Sequence, residues 1–328
     1  MTEPYVDRAH AIRLKFRALL ERDDVAIMPG GFSPLYAMAA ERAGFESFFV
    51  AGSQMSAYLL GVPDAGMLGL RDIVDHARHC AARADIPIFL DCDTGFGNAT
   101  NVYFTTQEVI RAGVAGMQIE DQESPKKSGT SAGRKCIPVN EAVGKIRAAV
   151  AARDELDPAF VVCARCDAIG AEGETFDDAL ARCRAYVDDG GADLVWLNSV
   201  ESLADLKRFC AAMKAPVLTI WGGPQPEPSF DEYRATGVKI VLYPVIAASA
   251  GMQAAWQTLN DLRQRGETGL RDWRASIHAG RYPAIDLKTL TNDKLIRSLE
   301  ERFVPADRQR DYDSTFGHAP HSEKTESK

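Results

Sequence analysis

Apolar residues along this chain gather into short continuous runs, each followed by a polar stretch with helical spacing. Eight runs have strand length: AIMPG, whose apolar core and turn cover 27–31, SFFVAG (47–52), IPIFLD (86–91), GMQIED (116–121), FVVCAR (160–165), DLVWLN (193–198), PVLTIW (216–221) and VKIVLYP (238–244). Near-continuous rather than alternating runs mark strands buried on both faces, as parallel strands sheathed by helices are. Helix patterns such as NEAVGKIRAAVAARDEL and TFDDALARCRAYVDDG lie between them. Eight alternations predict an α/β fold, a closed (β/α)8 TIM barrel. The rival is a doubly wound open sheet, but no G-x-G-x-x-G follows the first strand and no Walker-type loop is present.

Beyond the eighth strand, AASAGMQAAWQTLNDLRQRGE predicts a long helix and NDKLIRSLEERFV (292–304) another. The expected organisation is a barrel over 1–268, a helical arm over 269–304 and a polar, disordered tail over 305–328. Such an arm needs a surface to pack on, either a neighbouring subunit or its own barrel.

Composition narrows the function classes. The chain has 328 residues, 46% of them hydrophobic, which is enough for one large barrel. Its net charge is −8 with basic residues dispersed, so no electrostatic footprint for nucleic acid exists. No signal peptide and no membrane-length apolar run is visible, which excludes a membrane partner. Seven cysteines without an export signal point to reduced thiols and a cytoplasmic protein. Cys163 and Cys166 form a C-x-x-C within a predicted strand, where positions three apart face opposite ways, so core packing explains them better than a metal.

In a barrel of this kind the chemistry sits at the C-terminal ends of the strands. Those ends carry Gly52 and Ser53 after the second strand, with Asp64 further on. The third gives Asp91 and Asp93, the fourth Glu120 and Asp121, and the fifth Arg165 and Asp167. The sixth gives Asn198 and Ser199, and the seventh Trp221, Gly222 and Gly223. Asp91 and Asp93 share a face, and Glu120 comes from the neighbouring strand. Converging carboxylates repel unless a cation stands between them. Hard oxygen donors in small number suit Mg2+, or Mn2+ in its place. None of the six histidines stands at a predicted strand end, so a zinc site or a histidine base is not expected. A cation, an arginine and hydroxyls suit a small oxo-acid whose developing enolate is stabilised electrostatically.

DCDTGFGN, then IEDQ, then a Lys-Lys-Ser-Gly loop resembles the isocitrate lyase and phosphoenolpyruvate mutase superfamily, from about residue 25 to 265. The resemblance implies a Mg2+-dependent barrel making or breaking C–C or P–C bonds beside a 2-oxo acid. It also implies a homo-oligomer, a dimer or tetramer, with the C-terminal helix exchanged between subunits. It makes Asp91 the direct ligand, with Asp93, Glu120 and Asp64 holding the ion's waters. Gly52 and Ser53 become donors to the substrate carboxylate and Arg165 its clamp, with Asn198, Ser199 and Trp221 also beside substrate. Residues 123–136 become a gating loop, with Lys126 and Lys127 adding positive charge near the anion.

Departures from the family pattern matter too. Its carbon–carbon lyases carry Lys-Arg-Cys-Gly-His in the loop, with the Cys as proton donor. Here Ser128 replaces the Cys and Thr130 the His, while Cys136 lies eight positions later. A Ser hydroxyl is a far weaker acid than a thiol. Those lyases also carry acids after strands six and seven, where this chain has LNSV and TIWGGP. WGGP and the missing Cys resemble the oxaloacetate decarboxylase branch, and Ser199 matches the mutase and phosphonopyruvate hydrolase branch. Val245 and Ile246, with Trp196 and Trp221, suggest a bulkier or less polar substrate. The expected activity is therefore C–C cleavage of a small 2-oxo or 2-hydroxy acid, by decarboxylation or retro-aldol chemistry, with Ser128, Lys126 and Arg165 as catalytic candidates. P–C chemistry is the first alternative. A silent barrel binding a small acid or a protein partner is the second.

Overall fold

The computed structural model describes residues 5–314. Contacts divide the chain into two compact units, Met1–Gly269 and Leu270–Lys328. The first is the expected TIM barrel. Eight parallel strands close in chain order: β1 (Ala26–Gly31), β2 (Phe48–Val50), β3 (Ile88–Asp91), β4 (Gly116–Glu120), β5 (Val161–Cys166), β6 (Leu194–Leu197), β7 (Val217–Ile220) and β8 (Ile240–Tyr243). β1 pairs with β8, so no edge remains and the open-sheet alternative fails.

Alternation along each strand builds two cores. Met28, Phe49, Phe89, Cys163, Leu194, Trp196, Leu218 and Ile240 point inward. Phe48, Val50, Ile88, Leu90, Val162, Val195 and Leu197 point outward, under the helices. Cys163 and Cys166 fall on opposite faces, one in each core, as their spacing requires. Continuing the inward phase carries Asp91, Glu120, Arg165 and Asn198 to the C-terminal mouth.

The other end is stoppered. Residues Tyr5–Glu21 form a helix ahead of β1 that the polar-looking N-terminus did not suggest. Its Ile12, Phe16, Leu19 and Leu20 recur at helical spacing and join the inner core. Phe16 is fully buried, its ring 5.5 Å from that of Phe89. Arg13 fixes the helix by pairing with Asp157 at 2.6 Å and donating to Val114 O and Ile110 O.

The second unit is helical. In it Lys294–Phe303 exposes Leu295, Ile296, Leu299 and Phe303. Of the tail expected over 305–328, residues from 315 on lie outside the described residues. Before them Ala306–Arg308 makes one 3-10 turn, and Asp313 and Tyr312 bond back to Arg297 and Glu300. Among the described residues no helix is long and apolar enough to cross a membrane.

Phe16→Ala removes a fully buried ring that the barrel floor cannot collapse around. We expect it to cost about 3–5 kcal/mol, read as a lowered urea midpoint at unchanged slope.

Candidate active site

Parallel register sets the mouth. Asp91 lies beside Gln118, Glu120 beside Arg165, and Arg165 beside Trp196. Asp91 is held from three sides: it accepts from Gly52 N at 3.0 Å, from Asp93 N at 3.1 Å and from the Gln118 amide. The chain turns sharply after it, with Asp93 at φ +46°. That left-handed conformation is uncommon outside glycine, though Asp tolerates it better than most residues. It returns a second carboxylate to the same space. Arg165 stacks over Trp196 with its guanidinium carbon 4.4 Å from the ring centre. Its edges face Glu120 at 3.1 Å and Asp167 at 3.0 Å.

The segment 123–136 lies closed over this ring. Its base is zipped by Glu123 N to Lys135 O at 2.8 Å and Ile137 N to Asp121 O at 2.9 Å. Lys126 enters from the lid and is buried, 2.5 Å from Asp64 and 2.9 Å from Asp93. Its charge therefore sits among the acids. Gly129 rests on Arg165: a Cβ there would stand 2.2 Å from Arg165 Nη2 and 2.8 Å from Asn198 Nδ2.

The other expected residues are placed as follows. Gly52 spends its amide on Asp91 rather than facing an open anion site, and Ser53 is half-buried one residue on. Ser128 is half-buried on the lid, its hydroxyl 3.3 Å from Thr130. Lys127 is exposed. Asn198 donates to Asp167 at 2.5 Å and to Gly129 O at 2.9 Å. Ser199, at φ +62°, has its hydroxyl 3.4 Å from the same carbonyl. Trp221 is 40% exposed and stacks on Tyr243, ring centres 5.7 Å apart. Burial and Asp121 push the Cys136 thiol up, away from use as an acid.

Two residues that the sequence reading gave no role belong to the site. Asp167, fully buried, is a hub for Arg165, Asn198, Gln122 and Arg134. It stands two places from Arg165 in the same inward phase, which was the available signal. Arg134 reads in sequence as one more lid cation, and only the fold buries it.

Acids outnumber bases here: Asp64, Asp91, Asp93, Glu120 and Asp167 face Lys126, Arg134 and Arg165. Burial, then Asp91, raises the Asp93 carboxyl to about 6 despite Lys126. Burial pushes Glu120 well above the usual carboxylate range against the pull of Arg165. For Asp167, Arg165, Gln122 and Arg134 outweigh burial and hold it low. Lys126 runs the other way: the surrounding acids override burial and raise it. Asp93 Oδ1 has Lys126 at 2.9 Å and Glu120 has Arg165 at 3.1 Å, but neither Glu120 oxygen makes a hydrogen bond, so a buried charge is met by one ion pair alone. That donor set fits a hard divalent cation. Among the described residues no three acidic, His or Cys side chains converge closely enough to hold an ion by themselves. Mg2+ suits such a site, since it keeps several waters. The β6–β8 side is different, with Trp196, Leu218, Ile220 and Leu242 on its inner face.

The family model described as phosphoenolpyruvate phosphomutase matches residues 16–263. A 2-methylisocitrate lyase of Aeropyrum pernix is 36% identical over 255 residues, covering 77% of this chain and 80% of its own. The solved structure of an oxaloacetate acetylhydrolase with the inhibitor 3,3-difluorooxalacetate superposes with a TM-score of 0.80 at 30% identity, covering 93% of this chain and all of that one. A phosphonopyruvate hydrolase solved with oxalate and Mg2+ gives 0.78 at 29%, covering 89% of this chain and 99% of that one.

Gly129→Ala tests the lid contact. Arg165 is pinned by two acids and a ring, so it cannot yield to the new methyl. We expect faster amide exchange across 123–136, with a melting temperature within about 2 °C of wild type, since the lid opens locally while the barrel stays folded.

Proposed function

The chain belongs to the isocitrate lyase and phosphoenolpyruvate mutase superfamily, through its phosphoenolpyruvate phosphomutase domain, and from that premise we propose that it is a Mg2+-dependent carbon–carbon lyase. Its substrate is a small 2-oxo or 2-hydroxy carboxylic acid, cleaved by decarboxylation or retro-aldol chemistry. One observation carries the reading: Asp91, Asp93 and Glu120, all buried, converge at the mouth beside Arg165, where acids outnumber cations. In this reading Asp91 is the direct ligand, and Asp93, Glu120 and Asp64 hold the ion's waters.

A bound divalent cation supplies positive charge against the oxyanion of an enolate. The chain's residues do the rest. Arg165, flat on Trp196, orients the substrate carboxylate. Gly52 N and Gln118 keep Asp91 aimed at the mouth. Lys126 offsets Asp64 and Asp93 as the lid descends, and the lid excludes water from the reacting centre. Ser128 is the lid hydroxyl nearest to the missing thiol's place in sequence. Decarboxylation demands least of it, because departing CO2 takes no proton. The apolar inner face of β6–β8 supports a substrate with a less polar half.

P–C chemistry is the second reading, favoured by Ser199 after β6. Against it, that hydroxyl faces a lid carbonyl and Arg134. We further propose a cytoplasmic homo-oligomer, dimer or tetramer. Support comes from the apolar residues that Lys294–Phe303 and the helix Ile246–Arg265 leave exposed, among them Trp256, Leu259 and Phe303.

Release of 2-oxo acid is to be assayed over oxaloacetate, 2,3-dimethylmalate, 2-methylisocitrate and phosphonopyruvate, with Mg2+ and with EDTA. We expect turnover of a carbon acid that EDTA abolishes and that falls at least ~10²-fold in Asp91→Ala. Phosphate release from phosphonopyruvate as the main reaction would install the second reading. No metal-dependent turnover and no Mg2+ binding would leave the silent barrel.

The raised Asp93 carboxyl sets a pH dependence. It is protonated below about 6 in the cation-free protein, and a cation whose waters it holds must displace that proton. Mg2+ affinity, titrated calorimetrically, should therefore rise as pH passes through about 6, and the raised Glu120 carboxyl carries that rise higher. The affinity should weaken towards pH 5 by up to about tenfold per unit. Affinity unchanged between pH 7 and 5 would exclude Asp93 from the ion's surroundings.

A further inference from the structure

Arg134 is the lid's second buried cation, and it does not face the acids that hold Lys126. Its Nη1 donates to Gly129 O at 2.5 Å and lies 3.3 Å from Asp167 Oδ1. Its Nη2 donates to Ile169 O at 2.6 Å, just beyond β5. Gly170 clears the space beside it, for a Cβ there would stand 2.8 Å from Nη2. Ser199 Oγ is 3.4 Å from both nitrogens.

The same Asp167 oxygen also accepts from Arg165 Nη2 at 3.0 Å and Asn198 Nδ2 at 2.5 Å. One carboxylate oxygen is thus divided between an arginine that travels with the lid and one fixed in the barrel. Arg165 is itself divided between Asp167 and Glu120. A carboxylate oxygen offers about two lone-pair sites, so the three donors on Asp167 Oδ1 compete, and charge drawn by one is withdrawn from the others. With the lid open, Asp167 has Arg165 as its main cationic partner and holds it tightly. With the lid closed, Arg134 takes up part of that charge.

We propose that Arg134 is a positioning residue: by closing the lid onto Asp167 it loosens the hold of Asp167 on Arg165 and frees that guanidinium for the substrate carboxylate. This rests on Arg165 being the clamp. An arriving acid first meets an arginine engaged twice, and lid closure releases one engagement. Binding and closure then reinforce each other through a single carboxylate. Arg134 itself touches neither substrate nor ion.

The test is a cycle read with oxalate, a planar carboxylate probe, by calorimetry in saturating Mg2+, together with tryptic cleavage at the lid lysines. Arg134→Gln should weaken oxalate roughly tenfold or more and speed lid cleavage. Asp167→Asn in that background should restore oxalate affinity, because Arg165 is then released whatever the lid does, while cleavage stays fast. A purely structural pin predicts no such rescue, and the absence of rescue overturns the proposal, as does wild-type affinity in Arg134→Gln. If Arg134→Gln does not fold, Arg134→Lys carries the test. It keeps a charge on Asp167 but loses the fork to Gly129 and Ile169. Oxalate affinity should then stay within about threefold of wild type while cleavage quickens, and equal loss of both overturns the idea. If wild type binds no oxalate, the functional reading fails, and unchanged cleavage in Arg134→Gln then sinks the latch on its own.

Discussion

Carboxylates drawn together inside a barrel mouth must be neutralised, and most of what surrounds this site answers that need. The inward phase of β3, β4 and β5 aims Asp91, Glu120 and Arg165 into one small volume. The turn after β3 adds Asp93. Removed from water, such charges are costly unless each has a counter-charge or donors. The lid brings two cations of its own, Lys126 and Arg134. It places one on each side of the ring, against Asp64 and Asp93 and against Asp167. Glu120 is left with a single ion pair, to Arg165, and the excess of acids over cations around it is the strongest local argument for a bound ion.

Much of this was legible because strands repeat simply. Eight apolar runs mark eight strands, and a period of two carries Asp91, Glu120 and Arg165 to one face of one ring. The same period separates Cys163 from Cys166. Features that depend on the third dimension were not legible. Ile12, Phe16, Leu19 and Leu20 are spaced for a helix, but charged residues interrupt them and the segment stands outside the apolar runs that mark the strands. Lys126 was expected beside an anion and instead neutralises acids, because loop direction cannot be read from composition. Arg134 and Asp167 lie 33 positions apart. Nothing in either stretch announces that they meet.

The lid also shows why a glycine stands at its tip. Gly129 brings backbone rather than side chain against Arg165, so its carbonyl reaches Asn198, with Arg134 of the same lid donating to it as well, and Arg165 is left in place. Ser128 beside it turns its hydroxyl to Thr130, 3.3 Å away, and takes no part in the contacts that Gly129 makes with the barrel.

The stoppered floor of the barrel has a further consequence. Phe16 and its neighbours fill the end opposite the acids, so cohesion is concentrated where no chemistry occurs. The mouth, with its crowded like charges, is a weak point that the floor outweighs. The two ends are therefore separable by substitution: side chains on the loops after β6, β7 and β8, Trp221 among them, can be exchanged without disturbing the packing at the opposite end.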